Sequence, residues 1–64
     1  MKNKIRELRK SFKFRQEDLA NELGVTRQTI NAIENEKYNP TLELAMKLAK
    51  LLNTTVDELF SLDS

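Results

Sequence analysis

Apolar residues recur along this chain at helical spacing, and small polar clusters cut the pattern into five segments. Ile5, Leu8 and Phe12 share one face behind Asn3, which can cap, and they predict a first helix. Leu19, Ala20 and Leu23 predict a second helix from about Gln16. It stops at Gly24, where a sharp turn needs a positive φ that glycine takes at little cost. Thr26 caps a third segment that runs to about Asn35. Asn39-Pro40-Thr41 is a boundary, because the residue before proline avoids the helical region and Thr41 can cap the next helix. A fourth helix then covers Leu42 to Leu52, until Asn53 and Thr54 break it. Thr55-Val56-Asp57-Glu58 has the S/T-x-x-E form of a capping box and opens a short fifth helix through Phe60. Strand-forming runs are few. The expectation is an all-α fold, a compact five-helix bundle forming one domain over residues 1–64.

The third segment, within "VTRQTINAIENEKYNP", is poor in core material. Ile30 and Ile33 are its only large apolar side chains. At about 100° per residue, Arg27, Asn31, Asn35, Gln28 and Ala32 sweep one continuous arc opposite those isoleucines. An ordinary solvated face favours Glu and Lys for helix propensity, and this arc has neither. Its side chains suit base edges instead: Arg forks onto guanine, and Gln or Asn pairs bidentately with adenine. The small Ala32 permits close approach or contact with a thymine methyl. Ala20 is small where a second helix must cross, and Val25, Ile30 and Ile33 pin helix three against helix two. Residues 16–35 thus carry the logic of a helix-turn-helix. Glu34 falls at the core-facing edge of helix three, where a bare carboxylate would repel phosphate. Arg9, one residue past Leu8, is its expected ion-pair partner.

Helix four carries a wider apolar stripe than one core needs. Leu44 and Leu51 lie beyond the face formed by Ala45, Leu48, Ala49 and Leu52. With Leu62, they form the expected contact of a homodimer, unless helix five covers Leu44 and Leu51 within the monomer.

Size sharpens that expectation. A chain of 64 residues buries only about 60 % of the surface its unfolded state exposes, so its core is marginal and wants a staple. There is no Cys and no His, which removes disulfides and the soft or imidazole metal ligands. No metal, cofactor or small-molecule ligand is expected, and a partner copy remains. No apolar run reaches the ~20 residues of a membrane span, and no signal-peptide pattern follows the basic start, so the expectation is a soluble cytoplasmic protein.

Net charge is only +1, but it is unevenly spread. Lys2, Lys4, Arg6, Arg9, Lys10, Lys13 and Arg15 face Glu7 alone in the first fifteen residues, so that end is strongly positive and can meet phosphate. Catalysis is not expected. Without His or Cys, acid–base work would fall to groups such as Glu17-Asp18 and Asp57-Glu58, adjacent pairs at helix starts where carboxylates favour the helix dipole. One glycine cannot build a phosphate-cradling loop.

The stretch "QEDLANELGVTRQTINAIENEKYNP" resembles the helix-turn-helix of the phage repressor and Cro family, and the resemblance covers essentially the whole chain. Through "RQTIN", "KYNP" and "LNTTVDELF" it is similar to short dimeric bacterial regulators such as the cytolysin repressor. The resemblance implies a lambda-repressor-like fold and a regulator binding double-stranded operator DNA as a homodimer. It also implies a phosphate contact at Gln16 and base-reading positions at Arg27, Gln28 and Asn31, with Asn35 and Lys37 near the DNA backbone. Thr29 and Ala32 complete the expected reading set, and Thr26, Tyr38 and Lys13 the phosphate set. Arg15 stands where the family usually has Thr or Ser as a cap, which weakens the cap by ~1 kcal/mol and offers phosphate another cation. Glu36 stands where Gly commonly ends helix three, so Asn35 is expected to take the left-handed turn. The competing reading is a helix-turn-helix interaction module, an antitoxin or adaptor gripping a protein through Leu44 and Leu51.

Overall fold

Three threonines start helices. In the computed structural model, which describes residues 1–62, Oγ1 of Thr26, Thr41 and Thr55 accepts the backbone N–H of Thr29, Leu44 and Glu58, at 3.3, 3.2 and 3.2 Å. Each satisfies a donor that a helix start leaves orphaned. The elements run β1 (Lys2–Asn3), α1 (Ile5–Ser11), α2 (Gln16–Leu23), α3 (Arg27–Glu34), α4 (Leu42–Leu51), α5 (Val56–Leu59) and β2 (Phe60–Ser61). Among the described residues the fold is all-α apart from one small ladder. In it β1 and β2 pair antiparallel, with Lys2 opposite Ser61 and Asn3 opposite Phe60.

That ladder corrects the reading of the last helix. Phe60, expected as its final residue, is extended and buried in β2. Thr55 also departs from a full capping box: its hydroxyl donates to Glu58 Oε1 at 3.2 Å while accepting the Glu58 N–H. Asn3 acts from one residue outside the α1 cap position. Its Oδ1 accepts the Ile5 N–H at 3.1 Å, and its Nδ2 donates to the Ile33 carbonyl at 2.9 Å. One side chain thus joins the start of α1 to the end of α3.

The first four helices end on a left-handed residue, while α5 runs directly into extended backbone at Phe60. After α1, α3 and α4 the chain turns left-handed at Lys13 (φ 62), Glu36 (φ 61) and Asn53 (φ 56), and after α2 at Gly24 (φ 68). At Glu36 the turn closes with Lys37 N–H on the Ala32 carbonyl (2.9 Å) and Glu36 N–H on the Ile33 carbonyl (3.0 Å). Lys13–Phe14 and Asn53–Thr54 repeat this paired closure on α1 and α4. The expectation for Asn35 is therefore corrected: it stays at φ −89, and Glu36 itself takes the left-handed position. Asn35 is held on the helix by side-chain bonds to Arg6 and Asn31. Phe12 is likewise displaced from the expected core, because α1 ends before it. It is 44 % exposed and stacks on Phe14 with ring centroids 5.8 Å apart.

Ile5, Leu19, Ile30, Ile33, Leu48, Leu52 and Leu59 are fully buried, so each helix sends at least one large side chain to a common core. Each such burial stabilises the fold by about 1.5–3 kcal/mol. Ala20, Ala45 and Ala49 are buried in the same core, where close packing leaves little room for a larger side chain. The two leucines of α4 expected at a dimer contact are only partly open. Leu44 and Leu51 are half-buried against the core, Leu44 along a groove with Leu23 and Val25, Leu51 along one with Phe14 and Leu19. Both grooves run between α4 and the α2 side of the molecule. The apolar side chains α4 exposes are Leu42 (71 %) and Met46 (54 %), and Leu62 beyond β2 is 83 % exposed. Among the described residues, no helix is long and apolar enough to cross a membrane.

A left-handed conformation costs a non-glycine residue about 1–2 kcal/mol. Glu36→Gly or Lys13→Gly should therefore raise stability by about 1 kcal/mol and the melting temperature by roughly 4–8 °C. Gly24→Ala should lower both, through φ alone, since a Cβ there meets no heavy atom within 4 Å. Thermal melts followed by circular dichroism check this, and a Glu36→Gly variant melting at or below the parent would refute it.

Candidate nucleic-acid interface

The polar face of α3 stands outward because its other side is fixed tightly. Gly24 turns left-handed, Val25 N–H bonds to the Ala20 carbonyl at 3.0 Å, and Ile30 and Ile33 enter the core. That leaves Arg27, Gln28, Asn31 and Asn35 exposed and Ala32 half-buried. Thr29 is turned toward the flank. It is half-buried, its hydroxyl lies 3.2 Å from Thr26 Oγ1, and it borders the same groove as Tyr38 and Leu44.

Glu34 holds this face to the rest of the molecule. Its side chain has no accessible surface, and it accepts from three side chains on two helices, Arg6 and Arg9 of α1 and Gln16 of α2. Arg9 Nε lies 2.7 Å from Oε2 and Arg9 Nη2 3.2 Å from Oε1. Arg6 Nε at 3.3 Å and Gln16 Nε2 at 3.2 Å also reach Oε1. Arg9 Nη1 continues to the Phe14 carbonyl at 3.1 Å, just beyond the left-handed turn after α1. Burial alone would raise the Glu34 pKa. The hydrogen bonds from Arg9 and Gln16, with the charge of Arg9 and a bond from Arg6, outweigh it and hold the carboxyl below its ordinary value.

The reading face is linked to this carboxylate through amides. Gln16 Nε2 also donates to Asn31 Oδ1 at 3.2 Å, Asn35 Nδ2 donates to the same oxygen at 3.1 Å, and Arg6 Nη2 donates to Asn35 Oδ1 at 2.9 Å. Gln16, expected at a phosphate, thus has its amide nitrogen engaged inside the protein. Two of these links are not among the expectations from the sequence. Arg6 stands three residues before Arg9, a spacing that puts both on one helix face and could have found it. The Gln16–Asn31 contact has no local signal, because it joins two helices.

The other cations ring the face more loosely. Lys13, Arg15, Lys37 and Tyr38 are exposed, and so is Thr26, whose oxygen is occupied as a cap. Arg15 cannot cap α2 with its side chain, since a guanidinium has no acceptor. Asp18 caps in reverse instead, Oδ2 taking the Arg15 N–H at 2.8 Å while Oδ1 takes its Nη2 at 3.2 Å. An exposed pair of this kind is worth little, so the Arg15 guanidinium stays available. Arg9, Arg15, Gln16, Glu17 and Arg27 border one shallow recess between α1, the start of α2 and the start of α3.

Comparison with known proteins gives a consistent result. The sequence profile of the helix-turn-helix family matches residues 5–59. An uncharacterized helix-turn-helix-type transcriptional regulator of Methanocaldococcus jannaschii is 50 % identical over 60 residues, covering 94 % of this chain and 91 % of that protein. The similar regulator YgzD of Bacillus subtilis is 46 % identical over 63 residues, 98 % of this chain and 96 % of its own. The cryptic phage CTXphi transcriptional repressor RstR of Vibrio cholerae is 41 % identical over 59 residues, 92 % of this chain and 53 % of its own.

A lowered folded-state pKa means that Glu34 stabilises the fold above the ordinary glutamate value of about 4.3 and ceases to do so as pH falls through the lowered one. Urea unfolding across that acid range should show stability falling with pH in the parent. Glu34→Gln should retain only the slope from Asp18 and Glu43 at the surface, which Arg15 and Lys47 also hold low. Glu34→Ala should cost roughly 3–5 kcal/mol at neutral pH, by stranding Arg9. Equal slopes in parent and Glu34→Gln would remove this assignment.

Proposed function

The chain belongs to the helix-turn-helix family of the phage repressor and Cro type, and from that premise we propose that it represses transcription by binding a near-palindromic operator as a homodimer, with α3 in the major groove. It is a DNA-binding transcriptional regulator and not an enzyme. The observation that carries the finer reading is the outer face of α3. Arg27, Gln28 and Asn31 stand exposed on a helix whose opposite side is locked into the core and whose one carboxylate is buried and neutralised. A helix presenting donors and amides with no exposed negative charge suits base edges lined by phosphates. Ala32 and Thr29 border that set, and Arg15, Lys13, Thr26, Asn35, Lys37 and Tyr38 flank it as phosphate contacts, while the Gln16 amide nitrogen is held by Glu34 and Asn31.

A second copy is required by reach. One α3 covers a single major-groove segment, whereas two held about 34 Å apart address successive grooves of a symmetric site. Leu44, Leu51 and Leu62 are the contact from which such a dimer would be built, the first two half-buried and Leu62 exposed, while Leu42 and Met46 add exposed apolar surface elsewhere on α4.

Selection of bound duplexes from a random pool tests binding, symmetry and half-site spacing together. On the selected site, Arg27→Ala or Gln28→Ala should each weaken binding by about 1–3 kcal/mol while leaving helicity unchanged. Lys13→Ala or Lys37→Ala should weaken all sequences alike and reduce the salt slope by about 1. Sedimentation should give twice 7.5 kDa. Affinity indifferent to both Arg27→Ala and Gln28→Ala would favour the protein-interaction module instead.

A further inference from the structure

The amide network on α3 has a polarity, and charged groups at its two ends fix it. A carboxylate only accepts and a guanidinium only donates. Gln16 must therefore present Nε2, not Oε1, to Glu34 Oε1, where the separation is 3.2 Å. Asn35 must present Oδ1, not Nδ2, to Arg6 Nη2 at 2.9 Å. With those two amides set, both turn a nitrogen toward Asn31, at 3.2 Å from Gln16 and 3.1 Å from Asn35. The Asn31 atom that receives them has to be its oxygen, and two donors fill the two lone pairs it offers.

We infer that Asn31 is a specificity-determining residue that reads guanine and rejects adenine, because the network holds its amide with oxygen inward and nitrogen outward. The inference rests on α3 lying in the major groove. Reading adenine with an asparagine takes both amide ends, the oxygen for N6–H and the nitrogen for N7. Here the oxygen is taken, and Nδ2 has no partner among the described residues. An outward amide nitrogen with two hydrogens matches an edge that only accepts. Guanine offers two such atoms side by side, O6 and N7, whereas adenine sets its own N6 donor beside N7. Thymine offers O4 alone, and cytosine offers a donor. Gln16 and Asn35 are then positioning residues that set what Asn31 reads. Gln16 keeps only its Oε1 free, an atom that does not bond to phosphate.

The test compares duplexes selected by the parent, by Asn31→Ala and by the double variant Gln16→Ala/Asn35→Ala, with folding checked by circular dichroism. The base pair whose preference vanishes in Asn31→Ala identifies the Asn31 contact. In the parent that position should hold guanine, and adenine or 7-deazaguanine there should weaken binding on the order of tenfold. The double variant frees the oxygen and should bring the guanine-to-adenine ratio close to one. A parent that prefers adenine at that pair, a double variant that keeps the parent's ratio, or an Asn31→Ala variant that changes no preference would each overturn the inference. A parent that selects no duplex would overturn the DNA reading itself. The polarity is then decided in the free protein by nuclear magnetic resonance. Gln16 side-chain amide protons should be protected and coupled to the Asn31 carbonyl carbon while those of Asn31 exchange freely, and the reverse pattern refutes it.

Discussion

A carboxylate without accessible surface must be fully matched, and that requirement at Glu34 organises the molecule. Leaving it bare would cost several kcal/mol, a large share of the stability a chain of this size can hold. Arg9 answers from α1 with two nitrogens, Arg6 with one and Gln16 from the first turn of α2. No buried side-chain nitrogen or oxygen among the described residues is left without a partner. The pair is weak evidence for stability in itself, since two apolar side chains of similar volume could serve as well. What it supplies is orientation. Isoleucines at 30 and 33 keep α3 against the core but can slide, whereas a carboxylate gripped from two other helices sets its rotation and height.

The parts of this arrangement that were legible in the sequence are those fixed by local chemistry. Thr26, Thr41 and Thr55 start helices because a short hydroxyl can reach an amide three residues on, and Gly24 marks the tight turn because few other residues take its φ. The apolar period identified Ile5, Leu19, Ile30, Ile33, Leu48 and Leu52 as core. The failures came where the backbone took a conformation its residues do not advertise. Lys13 and Glu36 turn left-handed although neither favours it, so the period ran on through Phe12, and Asn35 looked the better candidate for the second turn. The β1–β2 ladder escaped because two residues a strand show no alternation and pair through backbone alone. At the interface, the exposed character of Arg27, Gln28 and Asn31 could be read from the helical wheel. The inward engagement of Gln16 depends on how α2 and α3 cross, and that is set by the whole core.

A small core and a polar reading face pull in opposite directions. Every side chain that α3 gives to its outer surface is one the interior cannot use. The chain compensates with small alanines in the core and with threonine caps on three of its helices. It gives some of that back in three left-handed side chains, each a conformation that glycine would take more easily.

The clasp between Lys2 and Ser61 bears on how the chain folds. It joins residues 59 positions apart through a ladder of two residues per strand. The entropy of closing a loop grows only with the logarithm of its length, yet so short a ladder cannot meet even that cost from an open chain. The helix pairs, built from contacts nearer in sequence, have to draw the two ends together first. Kinetically, the clasp belongs after the bundle, closing a ring that the helices have already drawn.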